Sequence, residues 1–226
     1  MNNAIEVKDL RIDINGQALI KHANLSLQRG SLTYFFGSNG TGKTTFVKAI
    51  LGLFPITQGS VMINGQPNTQ RNIAQNIAYL PQNPNIDRDF PITVKEMIDL
   101  ACSSHNNCPI KVDDHLEIFN AQTIKNKKLN ELSGGQLQKA LIARALIGDK
   151  PILILDEPFN HLDHNSEAAL VELLKKIHDQ GQRTILIITH DQSIVNENSD
   201  CILLMHSLLH TGKAKDIIDQ HKLEII

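Results

Sequence analysis

The stretch "GSNGTGKTT", Gly37 to Thr45, puts three glycines into six positions and follows them with Lys43, Thr44 and Thr45. A loop with so few side chains displays its backbone, and its flanks decide what that backbone is for. Upstream, "LTYFF" at 32–36 reads as a strand. Downstream, Thr41 to Leu51 turns helical, with Gly52 and Pro55 as a stop signal. Strand, G-x-x-x-x-G-K-T, helix is the phosphate-binding P-loop, in which the backbone N–H groups of residues 38–45 turn inward around an anion. The helix adds its N-terminal dipole. Gly37, Ser38, Asn39, Gly40, Thr41, Gly42, Lys43, Thr44 and Thr45 form the expected binding set. In it, Lys43 supplies a point charge to the β- and γ-phosphates, and Thr44 offers a hydroxyl to Mg²⁺. The other reading, a glycine-rich turn that binds nothing, is opposed by the complete motif in its strand–loop–helix setting.

Two further segments point to the same place. "PILILDEP" (151–158) and "RTILIITHD" (183–191) are dense apolar runs bounded by polar turns, the pattern of parallel strands covered on both faces. Asp156 ends the first run, where it can hold a hydrated Mg²⁺, and Glu157 follows directly. Ligands of an open parallel sheet sit beyond the carboxyl ends of its strands, so both carboxylates should face the nucleotide that Lys43 holds. His190 ends the second run at the same edge. A histidine after a strand is more often structural, but beside a P-loop the functional reading is preferred.

Outside these motifs, residues 4–36 alternate apolar and polar positions around the turn signal Asn15-Gly16. They read as a small antiparallel sheet whose last strand enters the glycine loop. "GSVMING" (59–65) is strand-like, and residues 94–147 are helix-rich. The expected fold is α/β: a P-loop NTPase core with an N-terminal antiparallel β subdomain and a helical insertion subdomain at roughly 86–147, in one nucleotide-binding domain spanning 1–226. Lys and Arg number 22 against 24 Asp and Glu, so no broad positive field gathers nucleic acid. Three cysteines fit a reducing compartment better than a disulfide framework. The amino-terminal stretch carries no apolar signal core, and no apolar run approaches the ~18 residues of a membrane span, so a cytosolic chain is expected.

"LSGGQ", Leu132 to Gln136, is a second anion site in the making. Ser133 can N-cap a helix from about Gly134 to Ile147, with Gln136 completing a capping box and Gly134-Gly135 leaving the helix start open to a phosphate. Capping chemistry alone is equally consistent with a well-capped helix and nothing more.

"GSNGTGKTT", "LSGGQ", "ILILDEP" and "THD", in this order and over nearly the whole chain, resemble the motifs of the ATP-binding cassette (ABC) ATPases. The resemblance implies that Ser133, Gly134, Gly135 and Gln136 close over the γ-phosphate bound by an opposite subunit, giving composite sites in a head-to-tail homodimer. Gln82 in "YLPQNP" is similar to the Q-loop glutamine that senses Mg²⁺, the attacking water and the membrane partner. Asp163 in "FNHLD" is similar to the D-loop aspartate that crosses the dimer interface. By the same resemblance Glu157 is the general base, His190 hydrogen-bonds the γ-phosphate, Thr45 lies near the α-phosphate, and Thr44, Gln82 and Asp156 form the Mg²⁺ set.

The implied activity is ATP hydrolysis. A transport role requires separate integral membrane permease subunits, with this chain peripheral on the cytoplasmic face. "NPNIDRDFPITVKEM" (83–97) resembles the corresponding segment in zinc, manganese and iron-chelate importers, systems that also use a periplasmic or extracellular binding protein. Heme or lipid exporters are the rival transport class. A non-transport cassette would be expected to carry a coiled coil, a second cassette or a basic linker, and the sequence has none. Lys139 stands where the family usually has arginine, His161 where a small residue is common, and the region from Ala101 to Asn130 is short. Ile14 aligns with the aromatic that commonly stacks on adenine. Cys102, His105 and Cys108, with His115 nearby, are ligand types suited to Zn²⁺, although such a run in a polar connection is more often incidental.

Overall fold

Along β1 (Asn3–Ile14) Ile5 and Val7, then Leu10 and Ile12, alternate into the core, with Ala4 also buried at the strand's start. The alternation changes parity at Asp9, which takes a left-handed φ of 46°, because an extra residue bulges out of the ladder there. β2 (Gln17–Gln28) answers with His22 at φ 47° and pairs antiparallel with β1 across the Asn15-Gly16 turn. β4 (Gln58–Ile63) and the short β5 (Gln66–Pro67) complete a sheet of order β2-β1-β4-β5. The computed structural model describes residues 3–84, 86–103, 112–147, 150–181, 183–191, 194–195 and 199–221.

The strand expected to close this sheet does not belong to it. β3 (Leu32–Phe36) lies in a second sheet, parallel to β8 (Thr184–Ile188) on one side and β9 (Asp200–Met205) on the other. The physical reason is legible in "LTYFF", whose five residues are all buried: a run without alternation suits a strand covered on both faces. β7 (Ile152–Asp156) and β8 are buried throughout in the same way. With β6 (Ile77–Leu80) and β10 (Leu208–Lys213) the order is β10-β9-β3-β8-β7-β6.

This sheet divides two apolar cores. On one face Phe35, Ile154 and Ile188 pack with α1 (Lys43–Ile50) and the antiparallel sheet. On the other, Tyr34, Leu153, Leu155 and Ile187 meet α3 (Val94–Ser103), α4 (Val112–Glu117), α5 (Gly134–Ile147) and α6 (His164–Asp179). α2 (Gln70–Asn76) precedes β6, and α7 (Ala214–His221) follows β10. Register then fixes the site. Phe35 pairs with Ile188 and Ile188 with Asp156, so the P-loop, His190 and Glu157 all leave the sheet at one level of one edge.

Candidate functional site

The P-loop folds around its own lysine. Lys43 Nζ donates to the Gly37 carbonyl at 2.7 Å and to the Ser38 carbonyl at 3.1 Å, and the residue is only 6% exposed. Burial pulls its pKa down, while Glu157 and Asp156 push it back up. Gly42, at the helix N-cap, has φ 104°, and a Cβ there would lie 2.9 Å from Leu19 side-chain carbons. Only glycine allows both that turn and that approach.

An open cleft of about 280 Å³ lies over the loop, lined by Ile14, Leu19, Asn39, Gly40, Gly42, Lys43, Thr44, Thr45, Gln82 and Glu157. Of the expected residues, six of the phosphate loop, Gln82, Glu157 and Ile14 line this cleft together, whereas Gly37, Ser38, Thr41, Asp156 and His190 do not. Leu19 was not singled out by the sequence; its place on β2 just past the Asn15-Gly16 turn was the available signal.

Asp156 is fully buried at the end of β7. Its Oδ1 has no hydrogen-bond partner, and Oδ2 faces the Tyr79 hydroxyl at 3.5 Å. Burial raises the carboxyl's pKa, with the Thr44 hydroxyl and Lys43 opposing and Glu157 adding to the rise. A fully buried carboxylate with an open oxygen beside a threonine hydroxyl and an ammonium fits a hydrated divalent cation. In the sequence, Tyr79 is marked only by its place on the strand leading to Gln82.

Glu157 turns the chain out of the sheet at φ 52°, unusual for a residue with a side chain, and its N–H donates to the Ile188 carbonyl at 2.9 Å. The His190 Nδ1–H is placed to donate to Glu157 Oε2 at 2.8 Å. This fixes the nearly buried carboxylate and leaves the other ring nitrogen available on a half-exposed histidine.

Ser133 and Gln136 form the expected capping box: Gln136 N donates to Ser133 Oγ at 3.3 Å, and Ser133 N to Gln136 Oε1 at 3.2 Å. Ser133, Gly134, Gly135, Gln136 and Asp163 do not line the cleft. α5 instead abuts the segment after Glu157. A Cβ on Gly135 would sit 2.8 Å from the His161 carbonyl oxygen, and buried Gln138 Nε2 donates to the Pro158 carbonyl at 3.0 Å. Asp163 caps α6 by accepting from Ser166 N at 3.0 Å and Ser166 Oγ at 2.9 Å. The side chains of Cys102, His105, Cys108 and His115 lie outside the described residues. Among the described residues no cluster of His, Cys, Asp and Glu is placed to hold a metal ion, and no helix is long and apolar enough to cross a membrane.

The profile of the ABC transporter family matches residues 20–160. The chain belongs to the ABC transporter ATPase family. This ABC ATPase is 35% identical over 97% of its length to the manganese transport system ATP-binding protein MntB of Listeria monocytogenes, covering 94% of that protein. It is 31% identical over 90% of its length to the zinc transport system ATP-binding protein TroB of Treponema pallidum, covering 78% of it. A solved ATP-binding subunit of an ABC transporter superposes with a TM-score of 0.85 at 26% identity, over 97% of this chain and 94% of that one. The ABC ATPase reading makes the chain an ATP hydrolase and accounts for the convergence of Lys43, Asp156, Glu157 and His190 on one sheet edge.

Proposed function

We propose that this ABC ATPase uses MgATP to drive a separate membrane permease that imports a divalent transition metal, manganese or zinc. The chemical part rests on one observation: the P-loop, the open oxygen of Asp156 and the Glu157–His190 pair meet at the edge fixed by the β3–β8–β7 register. The metal part rests on relatives named for manganese and zinc transport that align along most of the chain.

The backbone of 37–45 and Lys43 hold the phosphates, with Thr45 toward the α-phosphate. Thr44, Asp156 and Gln82 would hold Mg²⁺, which would supply charge neutralisation to the phosphates. Glu157, fixed by its turn and by His190, takes the proton of the attacking water, and His190 in its imidazolium form, with Nδ1–H on Glu157, donates from Nε2 to the γ-phosphate. Ser133 to Gln136 lie outside the cleft of their own chain, so they serve the cleft of a second copy in a head-to-tail homodimer, with Asp163 at the interface. Positioning and charge neutralisation then supply most of the rate.

The permease docks on the groove of about 430 Å³ between β6, α3 and α5, where Leu100 is 63% exposed and Pro81 leads directly to Gln82. The chain thus works at the cytoplasmic face of the membrane, and an external binding protein delivers the cargo. Cells lacking the chain should lose uptake of radiolabelled manganese or zinc, and wild type but not Glu157→Gln should restore it. Undiminished uptake of both metals would overturn the cargo assignment.

A further inference from the structure

β6 presents different partners on its two faces. Ala78 and Leu80 belong to the core shared with α3 and α5, and together with Tyr79 they line the 430 Å³ groove. Tyr79, between them, packs with the opposite core, beside α1, and pairs in register with Ile154 of β7. Its hydroxyl reaches the neighbouring strand's last residue, 3.5 Å from Asp156 Oδ2. Three positions on, the same segment delivers Gln82 into the nucleotide cleft.

A carboxylate buried as completely as Asp156 needs donors or a cation on both oxygens. Oδ1 has no hydrogen-bond partner, and Oδ2 has the Tyr79 hydroxyl at the outer limit of a hydrogen bond. The two oxygens of a carboxylate are equivalent, so a donor held on one of them fixes the plane of the group and with it the direction in which the other points. Among the described residues β6 is also the edge strand of its sheet, paired with β7 alone, so the Tyr79–Asp156 contact spans the outermost strand pair.

We propose that Tyr79 is a positioning residue for the Mg²⁺ site: its hydroxyl engages Oδ2 of Asp156 and keeps Oδ1 directed at the cation. This rests on the assignment of Asp156 as a Mg²⁺ ligand. It gives the groove a second route to the nucleotide besides Gln82, because Tyr79 lines the groove with its neighbours Ala78 and Leu80 while its hydroxyl faces the metal carboxylate.

The test uses Tyr79→Phe, which keeps the ring and its packing, in the full chain with Mn²⁺ as the spin-active probe. Titration of Mn²⁺ into protein with ATP, followed by electron paramagnetic resonance, should show roughly tenfold weaker binding in the variant, the loss expected for one hydrogen bond to a charged group. ATP binding in EDTA should be unchanged, the thermal midpoint should fall only slightly, and raised Mg²⁺ should restore the hydrolysis rate. A purely structural role would lower the midpoint and the metal-free nucleotide affinity and leave the Mn²⁺ affinity as it is. Equal Mn²⁺ affinity in variant and wild type, with wild type binding normally, would overturn the role of Tyr79. Absence of ATP-dependent Mn²⁺ binding in wild type would overturn the Mg²⁺ assignment beneath it, and the inference with it.

Discussion

Lys139 Nζ lies 2.8 Å from Asp163 Oδ2, joining α5 to the cap of α6 across the turn that carries Glu157. With the close approach of Gly135 to His161 and the Gln138–Pro158 hydrogen bond, this ties the helix behind "LSGGQ" to the segment leaving β7 at three points. Lysine in place of the family's usual arginine makes the outermost tie a single point contact rather than a planar fork.

Lys139→Met, which keeps the aliphatic stem and its packing, should slow ATP turnover while leaving ATP affinity nearly unchanged and lowering the thermal midpoint only slightly, because the Asp163 end of the pair is more than half exposed. Lys139→Arg should restore turnover. Lys139 and Ser166 hold the Asp163 carboxyl well below the usual carboxylate range. A depressed folded pKa gives a contribution that is full above the unfolded value of ~3.9 and is lost only as pH falls through the lower folded one. The difference between wild type and Lys139→Met should therefore persist down to about pH 4. Steady-state kinetics across pH checks both points.

Glu157→Gln should bind nucleotide normally and hydrolyse it about 10²–10⁴-fold more slowly, the range expected on losing a general base. The substitution is isosteric at a strained turn, so the fold survives, and an ATP-bound dimer should accumulate on size-exclusion chromatography. Hydrolysis at the wild-type rate would remove Glu157 from its role.

Asp156→Asn should abolish Mg²⁺-dependent hydrolysis yet stabilise the protein free of nucleotide and metal. Burial raises the folded pKa of Asp156, so its ionised form costs stability above that pKa, and the cost is relieved as pH falls through it. The gain in thermal midpoint should accordingly be largest at alkaline pH and shrink on acidification. Each 1 kcal/mol would appear as ~2–4 °C in a chain of this size. A lower midpoint in the variant would contradict the account.

Ile14→Tyr should tighten ATP binding and sharpen preference for ATP over GTP. The chain has two tyrosines, seven phenylalanines and no tryptophan, and none of these rings lines the nucleotide cleft, where Ile14, 38% exposed, and Leu19 stand instead. Stacking on a base contributes ~1–3 kcal/mol, so the gain should approach one order of magnitude. Equilibrium titration with both nucleotides decides the matter; strong ATP preference in wild type and no gain in the variant would refute it.

The strands that build the nucleotide edge were legible because their physics is local. "ILIL" (152–155) and "ILII" (185–188) are short, fully apolar and punctuated by polar residues, and the Ser133–Gln136 capping box is written in four residues. What eluded the sequence depends on pairing. Leu32–Phe36 sits close behind an alternating hairpin, and only its burial on both faces assigns it to the parallel sheet. The β9–β10 hairpin turns at His206 and Ser207, both left-handed without a glycine to announce them. Lys139 and Asp163 are 24 residues apart on different helices, a distance no helical periodicity spans.

Leu153 and Ile154 are adjacent in β7 but face opposite cores, as do Ile187 and Ile188 in β8. The central strands are thus a party wall, and neither half can melt while the other keeps its inner lining. Amides of β7 and β8 should exchange with deuterium only through global unfolding, and truncating Leu153 or Ile154 to alanine should accelerate that exchange across both strands alike.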